Sequence, residues 1–245
     1  MILKNPDNKE HIIKVLAKLL RHPKIFPKKK EEIKAEIYRI KKGYENEKLA
    51  AYYINSYLKD SERTIVLHDV RLKVDNYLVQ IDHLLLHRVY VTVLESKYFS
   101  SELYYDKKTD SFFVKTQKGK IGIPNPLKQA ERQILELERI IKHLKLDKHL
   151  PLNFDYYVLL SPRTIFHGDL PEKVIKADKI YDKLEERAEK FSLTLAFKTI
   201  VNMVKIKKED LIFAAEKLLQ YHRPITVKDI LKKLKLDWIN IEKLK

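Results

Sequence analysis

Two neighbouring stretches, residues 77–86 and 89–97, constrain this chain more than any other part of it. Both are rich in Leu, Val and Ile, only His87 and Arg88 separate them, and they read as the strands of a tight antiparallel hairpin. Each carries an acid inside an otherwise buried-strand sequence. Asp82 sits within Val79-Gln80-Ile81-Asp82-His83-Leu84-Leu85-Leu86, and Val89-Tyr90-Val91-Thr92-Val93-Leu94 runs into Glu95. Strand side chains alternate faces, so Glu95 and Lys97 share a face and Ser96 takes the other. A turn near Arg88 sets Asp82 roughly opposite Glu95, and cross-strand partners lie about 5 Å apart. Two carboxylates so close among Leu and Val are costly unless something pairs them. A divalent cation does so. Hard oxygen donors with positions left for water suit Mg²⁺, or Mn²⁺ in its place. Lys97 would then offset negative charge on a phosphoryl group held there. The opposing reading is an ordinary solvated Asp/Lys/Glu cluster, since acid-x-Lys is common in a lysine-rich chain. The apolar flanks weigh against it, because unpaired charge is unusual in central strands.

The rest of the chain surrounds this hairpin with helices. Residues 9–22 place Ile12, Ile13, Val15, Leu16, Leu19 and Leu20 on one side of a helix. Residues 23–30, with two prolines and a lysine run, read as a connector. A second helix is predicted from about Glu31, and a third carries Leu49, Ala50, Tyr53, Ile54 and Tyr57. Residues 64–70 read as a strand, and residues 98–118 as a further hairpin turning at Lys107-Lys108-Thr109-Asp110. Pro124-Asn125-Pro126 introduces a helix with an apolar stripe of Leu127, Ala130, Ile134, Leu137, Ile141 and Leu144. Residues 154–160 read as a buried strand, with Val174-Ile175 as a short edge strand. Helical patterns at 209–221 and 227–236 are split by Arg223-Pro224, either a basic DNA-binding appendage or a tail packed on the domain. The order helix, three strands, helix, strand specifies an α/β fold with a mixed sheet flanked by helices.

Lys and Arg number 50 against 34 Asp and Glu, a net charge of +16 that favours a polyanionic partner through counterion release. A lysine-rich surface without such a partner has the same composition. There are no cysteines, which excludes disulfides, thiolate metal sites and a thiol nucleophile. No stretch approaches the roughly 18–20 apolar residues of a membrane span, and no signal-peptide pattern opens the chain. The expected compartment is the cytoplasm, with no membrane partner. P-loop, dinucleotide-fingerprint and Gly-x-Ser-x-Gly patterns are absent, so ATP, NAD and serine-hydrolase chemistry are unsupported.

Four ordered elements carry a more specific signal: Gly43-Tyr44-Glu45-Asn46-Glu47, Gln80-Ile81-Asp82-His83, Glu95-Ser96-Lys97 and Asn125-Pro126-Leu127-Lys128-Gln129. Together they resemble the nuclease-related domain, a branch of the PD-(D/E)XK nuclease superfamily, from about residue 40 to 185. The resemblance implies a restriction-endonuclease-like αβββαβ core and metal-dependent hydrolysis of phosphodiester bonds, in DNA. It implies a catalytic set of Glu47, Asp82, Glu95, Lys97 and Gln129, with Asp82 and Glu95 as metal ligands and Glu47 as a further acidic ligand. Asn46 stands where the family has its second glycine, and asparagine tolerates left-handed backbone better than most residues. His87-Arg88 replaces a glycine-rich turn, and Tyr98 replaces a polar residue after the lysine. The resulting division is a helical extension over 1–40, a nuclease-related domain over 41–190 and a basic helical extension over 191–245.

Other residues hold open alternatives. Glu47 also reads as a helix N-terminal acid favoured by the dipole. Lys128, Arg132 and Gln133 are candidate nucleic-acid contacts, the first two equally a solvated face, and Gln133 equally a neighbour of Gln129. His83 should point away from Asp82 and be packed or hydrogen-bonded. The aromatic run Tyr98, Phe99, Tyr104, Tyr105, Phe112 and Phe113 offers either stacking faces for unpaired bases or core packing. A non-catalytic nucleic-acid-binding module and an interaction protein remain the rival functions. A second copy of the chain is a further partner to consider, since nucleases of this fold often act as dimers.

Overall fold

The structure is a computed structural model and describes residues 1–99, 101–197 and 206–240. In chain order the elements are β1 (Ile2–Lys4), α1 (Glu10–Leu19), α2 (Pro27–Leu58), β2 (Thr64–Val74), β3 (Tyr77–His87), β4 (Tyr90–Lys97), β5 (Leu103–Asp106), β6 (Ser111–Thr116) and β7 (Gly119–Ile123). They continue with α3 (Pro126–His143), β8 (Phe154–Leu160), β9 (Phe166–His167), β10 (Val174–Lys176), α4 (Ile180–Phe197), α5 (Lys208–Gln220) and α6 (Val227–Lys233). The main sheet is mixed and six-stranded, in the order β1-β2-β3-β4-β8-β10. β2, β3 and β4 form an antiparallel meander, whereas β8 lies parallel to β4. A parallel neighbour requires a crossover, and α3 makes it.

The hairpin forms as its pattern requires, with His87 paired to Tyr90 across Arg88 and Val89. Residues 154–160 are a strand, Val174-Ile175 lies in an edge strand, and Lys107–Asp110 turns one strand into the next. Asp110 takes φ 49° in that turn, a left-handed conformation that Asp adopts more readily than most residues. One expectation needs correcting. The second and third helices are one helix of 32 residues, α2, begun by Pro27 at its first turn, where a proline's missing N–H costs nothing. The hairpin over 98–118 forms at the expected turn and belongs to a separate four-stranded sheet, β7-β6-β5-β9, whose last strand comes from beyond β8.

Layering follows from burial. α3 and α5 cover one side of the main sheet, packing Ile134, Leu137, Leu211 and Leu218 with Leu84, Leu86, Val91 and Val93. Ala50 and Ile54 of α2 and Ile180 and Leu184 of α4 pack with Val66, Leu85 and Leu94 on the other side. The chain ends meet each other: Leu16 and Leu19 of α1 and Ile33 of α2 share a cluster with Ile230 and Leu231 of α6. α5 packs on the sheet and α6 on the N-terminal helices. The extension drawn over 191–245 includes residues 198–205 and 241–245, which lie outside the described residues. Among the described residues no helix is long and apolar enough to cross a membrane.

One irregularity positions the site. Along β2 the residues joining the α3–α5 cluster are Ile65 and Leu67, then Val70, Leu72 and Val74; along β3 they are Val79 and Ile81, then Leu84 and Leu86. The inward parity therefore changes at His68–Asp69 and at Asp82–His83, although the β2–β3 register does not shift. Asp69 absorbs the change with φ 49°.

Candidate active site

Asp82 and Glu95 lie one step beyond the last pair of the β3–β4 ladder. His83 pairs with Leu94, which sets the two acids opposite each other one residue further on. Both are buried, at 9 % and 3 % exposure. Asp82 Oδ2 accepts the Ser96 backbone N–H at 2.8 Å, its one hydrogen bond among the described residues. Burial, then the charges of Glu95 and Glu47, push its pKa well above the ordinary aspartate value. An acid in this condition is short of positive charge.

Glu95 is better supplied. α3 begins at Asn125, whose side chain accepts the Leu127 N–H at 2.9 Å, and Pro126 follows in the first turn. That start, with the i, i+4 spacing, turns Gln129 and Gln133 toward β4. Gln129 Nε2 donates to Glu95 Oε1 at 2.7 Å and Gln133 Nε2 to Oε2 at 2.6 Å. Gln133 Nε2 also reaches the Gln80 carbonyl at 2.9 Å, so Gln133 ties α3, β3 and β4 together. Lys97 Nζ lies 2.6 Å from Glu95 Oε1 and donates to Gln129 Oε1 at 2.8 Å. Its side chain keeps 26 % exposure, which puts a restrained ammonium at the solvent edge.

Glu47 occupies different surroundings. It lies in the middle of α2, far from a helix N-terminus, so the dipole reading does not apply. Its Oε2 lies 2.5 Å from Lys9 Nζ, and that ammonium is also 3.2 Å from Asp69 Oδ2. Burial opposes the charge on Lys9, but Glu47 and Asp69 outweigh it and raise the lysine's pKa. Burial raises the Glu47 pKa despite Lys9. Asn46 needs no left-handed backbone, being an interior residue of α2.

Behind the strands runs a buried polar chain that the sequence reading missed. His68 Nε2 meets Asn55 Oδ1 at 2.8 Å, His68 Nδ1 meets His83 Nδ1 at 2.7 Å, and His83 Nε2 meets Ser96 Oγ at 2.9 Å. One hydrogen lies between the two Nδ1 atoms, so the rings cannot both be doubly protonated. Burial holds His68 down to about 4 and His83 well below the usual imidazole range. The chain ends on Ser96, whose N–H holds Asp82, and so it braces the acid from behind. A signal was present: Leu67-His68-Asp69-Val70 and Ile81-Asp82-His83-Leu84 place mirrored polar pairs on two strands that pair with each other.

The predicted residues therefore divide. Asp82, Glu95, Lys97 and Gln129 converge, and Gln133 joins them. This corrects Gln133 as a nucleic-acid contact, because it is 8 % exposed and its Nε2 is spent on Glu95 and the Gln80 carbonyl. Lys128 is exposed and paired with Glu131 at 2.9 Å, while Arg132 is exposed on the same helix. Asp82 and Glu95 suit a hard cation that keeps several waters, the donor set Mg²⁺ accepts. A cage of three acids does not form: among the described residues no group of three or more His, Asp or Glu side chains is arranged to hold a metal, and Glu47 faces Lys9 instead.

A family model described as nuclease-related domain matches residues 42–161. The match runs from the middle of α2 to the residue after β8, takes in the whole converging set, and leaves out Lys9 and the terminal helices. No curated protein and no solved structure matches the chain.

Proposed function

Since the chain belongs, through residues 42–161, to the nuclease-related domain family, we propose that it is a metal-dependent nuclease hydrolysing phosphodiester bonds in DNA. The observation that carries this reading is the convergence of Asp82, Glu95, Lys97 and Gln129, with Lys97 restrained at the solvent edge. Asp82 and Glu95 would hold Mg²⁺ or Mn²⁺. The ion, when bound, supplies an activated water and neutralises charge on the phosphoryl oxygens. Lys97 meets the negative charge that develops on the phosphate, and Gln129 fixes the direction of its ammonium. Gln133 and Gln129 keep the Glu95 carboxylate aimed. Ser96, backed by His83 and His68, does the same for Asp82. The net charge of +16 supports a polyanionic substrate, and exposed Arg132 and Lys128 are the candidates for contact with backbone phosphates.

One observation favours a second reading, a nucleic-acid-binding domain that does not cut. The pairing of Glu47 with Lys9 leaves Asp82 and Glu95, rather than three acids, to hold a metal. Incubating the protein with labelled single- and double-stranded DNA in Mg²⁺, Mn²⁺ or EDTA, beside a Glu95→Ala/Lys97→Ala variant, separates the two. Metal-dependent cutting lost in the variant supports the nuclease, whereas binding without cutting in any metal selects the second reading.

A further inference from the structure

A cavity of about 530 Å³ opens on the side of α2 away from Lys9, lined by Asn46, Tyr53, Tyr98, Arg163 and Thr164 among others. It adjoins the site by sequence and by register. Tyr98 follows Lys97, Asn46 precedes Glu47, and Leu160, two residues before Pro162 at the cavity wall, pairs with Lys97 across β4 and β8.

Two side chains here lack partners. Asn46 is 6 % exposed, yet its carboxamide makes no hydrogen bond among the described residues. Thr164 is 4 % exposed, and its Oγ1 is buried without a partner. Buried polar groups are nearly always satisfied, so the Thr164 orphan, with the unbonded Asn46 carboxamide lining the same cavity, indicates a polar ligand. The Arg163 guanidinium, exposed, has no ion pair among the described residues. Lys42 pairs with Glu45 at 2.8 Å and stands 5.7 Å from the Tyr98 ring centroid.

We propose that this cavity binds one unpaired nucleotide of a nucleic-acid strand, next to the phosphodiester presented to Lys97. A carboxamide offers donor and acceptor together, the pairing a base edge requires. Tyr98 and Tyr53 supply aromatic faces for the base, and Arg163 a cation for its phosphate. A base stacked inside a duplex cannot enter such a cavity, so the substrate class is a single strand or a duplex with a displaced base. The proposal rests on Lys97 marking the cleavage centre.

The test is fluorescence anisotropy with the full chain in EDTA, so that binding and cutting are read separately. The probes are a fluorescein-labelled 12-nucleotide DNA strand and its blunt duplex. The single strand is expected to bind about ten-fold more tightly than the duplex. Asn46→Leu, Thr164→Val and Tyr98→Leu are each expected to weaken the strand about five- to ten-fold and leave the duplex unchanged. Thermal melting identifies any variant that fails to fold, and near-isosteric Thr164→Val keeps the test open. Equal affinity for strand and duplex overturns the proposal. So does a strand affinity lowered by Arg163→Ala but by none of these three variants, since charge alone then explains binding. Cavity-dependent strand binding without cutting in Mg²⁺ or Mn²⁺ keeps the cavity as a nucleotide site but overturns its placement beside a cleavage centre, together with the nuclease reading.

Discussion

Two buried acidic clusters lie close together around β2, β3 and β4, and they solve one electrostatic problem in opposite ways. Around Glu95 the donors are neutral amides from α3, with one lysine at the rim. Around Glu47 and Asp69 the donor is a lysine from the N-terminal segment, its side chain only 11 % exposed. Each side sets one lysine against two acids, but Lys97 touches Glu95 alone from the solvent edge and leaves Asp82 without a cation. Lys9 is more deeply buried and touches both Glu47 and Asp69, which closes its side. A family likeness that counts acids would treat the two alike. The difference lies in what faces them, and on it rests the proposal that Asp82 and Glu95, rather than Glu47, hold the metal.

The largest effect is expected from opening the closed cluster. Lys9→Met leaves Glu47 and Asp69 buried without a counterion and should cost about 3–5 kcal/mol in urea unfolding at pH 7. Burial already raises the Glu47 pKa. A raised carboxyl pKa means that the folded state holds the proton more tightly than the unfolded one, so the deficit should shrink as the pH falls toward 5. A variant as stable as the parent at pH 7 would break the comparison.

Next is Lys97→Ala, with an expected loss of about 10²–10³-fold in cleavage rate. DNA affinity in EDTA should stay within about two-fold, because the residue is assigned to charge that develops during reaction. A loss confined to affinity would make Lys97 a phosphate contact.

Gln133→Leu tests the amide side directly. Glu95 Oε2 and the Gln80 carbonyl lose their donor together, for an expected destabilisation of about 1–3 kcal/mol by urea titration. Gln129→Leu should cost less stability and more activity, since Gln129 also holds the part-exposed Lys97. Equal effects of the two would erase the distinction between them.

The smallest effect is a slope. Burial and Glu95 raise the Asp82 pKa, so in EDTA this group contributes stability that is lost as the pH rises from its unfolded value toward its folded one. Unfolding of the parent minus that of Asp82→Asn isolates the term. Mg²⁺ should reverse its sign, because a ligand carboxylate must be ionised. A difference that ignores both pH and Mg²⁺ would take Asp82 out of the metal site.

Local pattern made much of this legible. The hairpin, α3 with its Asn-Pro start, β8 and the element order all follow from alternation, helical spacing and capping, which act within a few residues. Asp82, Glu95 and Lys97 were readable because strand parity dictates which side chains share a face, whereas Gln129 was named only through the family resemblance. The continuity of α2 was harder, since Pro27-Lys28-Lys29-Lys30 reads as a connector although proline is favoured in a first turn. The second sheet was also hidden, because β9 joins β5 from beyond β8.

What the sequence by itself determined is therefore the set of residues able to do chemistry and the elements that carry them. What only the tertiary structure decided is which charges and donors meet. Lys9 reaches Glu47 from 38 residues away, Gln133 reaches Glu95 across 38, and His68 meets His83 across 15. Contacts of that span depend on how helices pack on a sheet and where a strand changes parity. Burial then sets the strength of each charge, and no local periodicity records it.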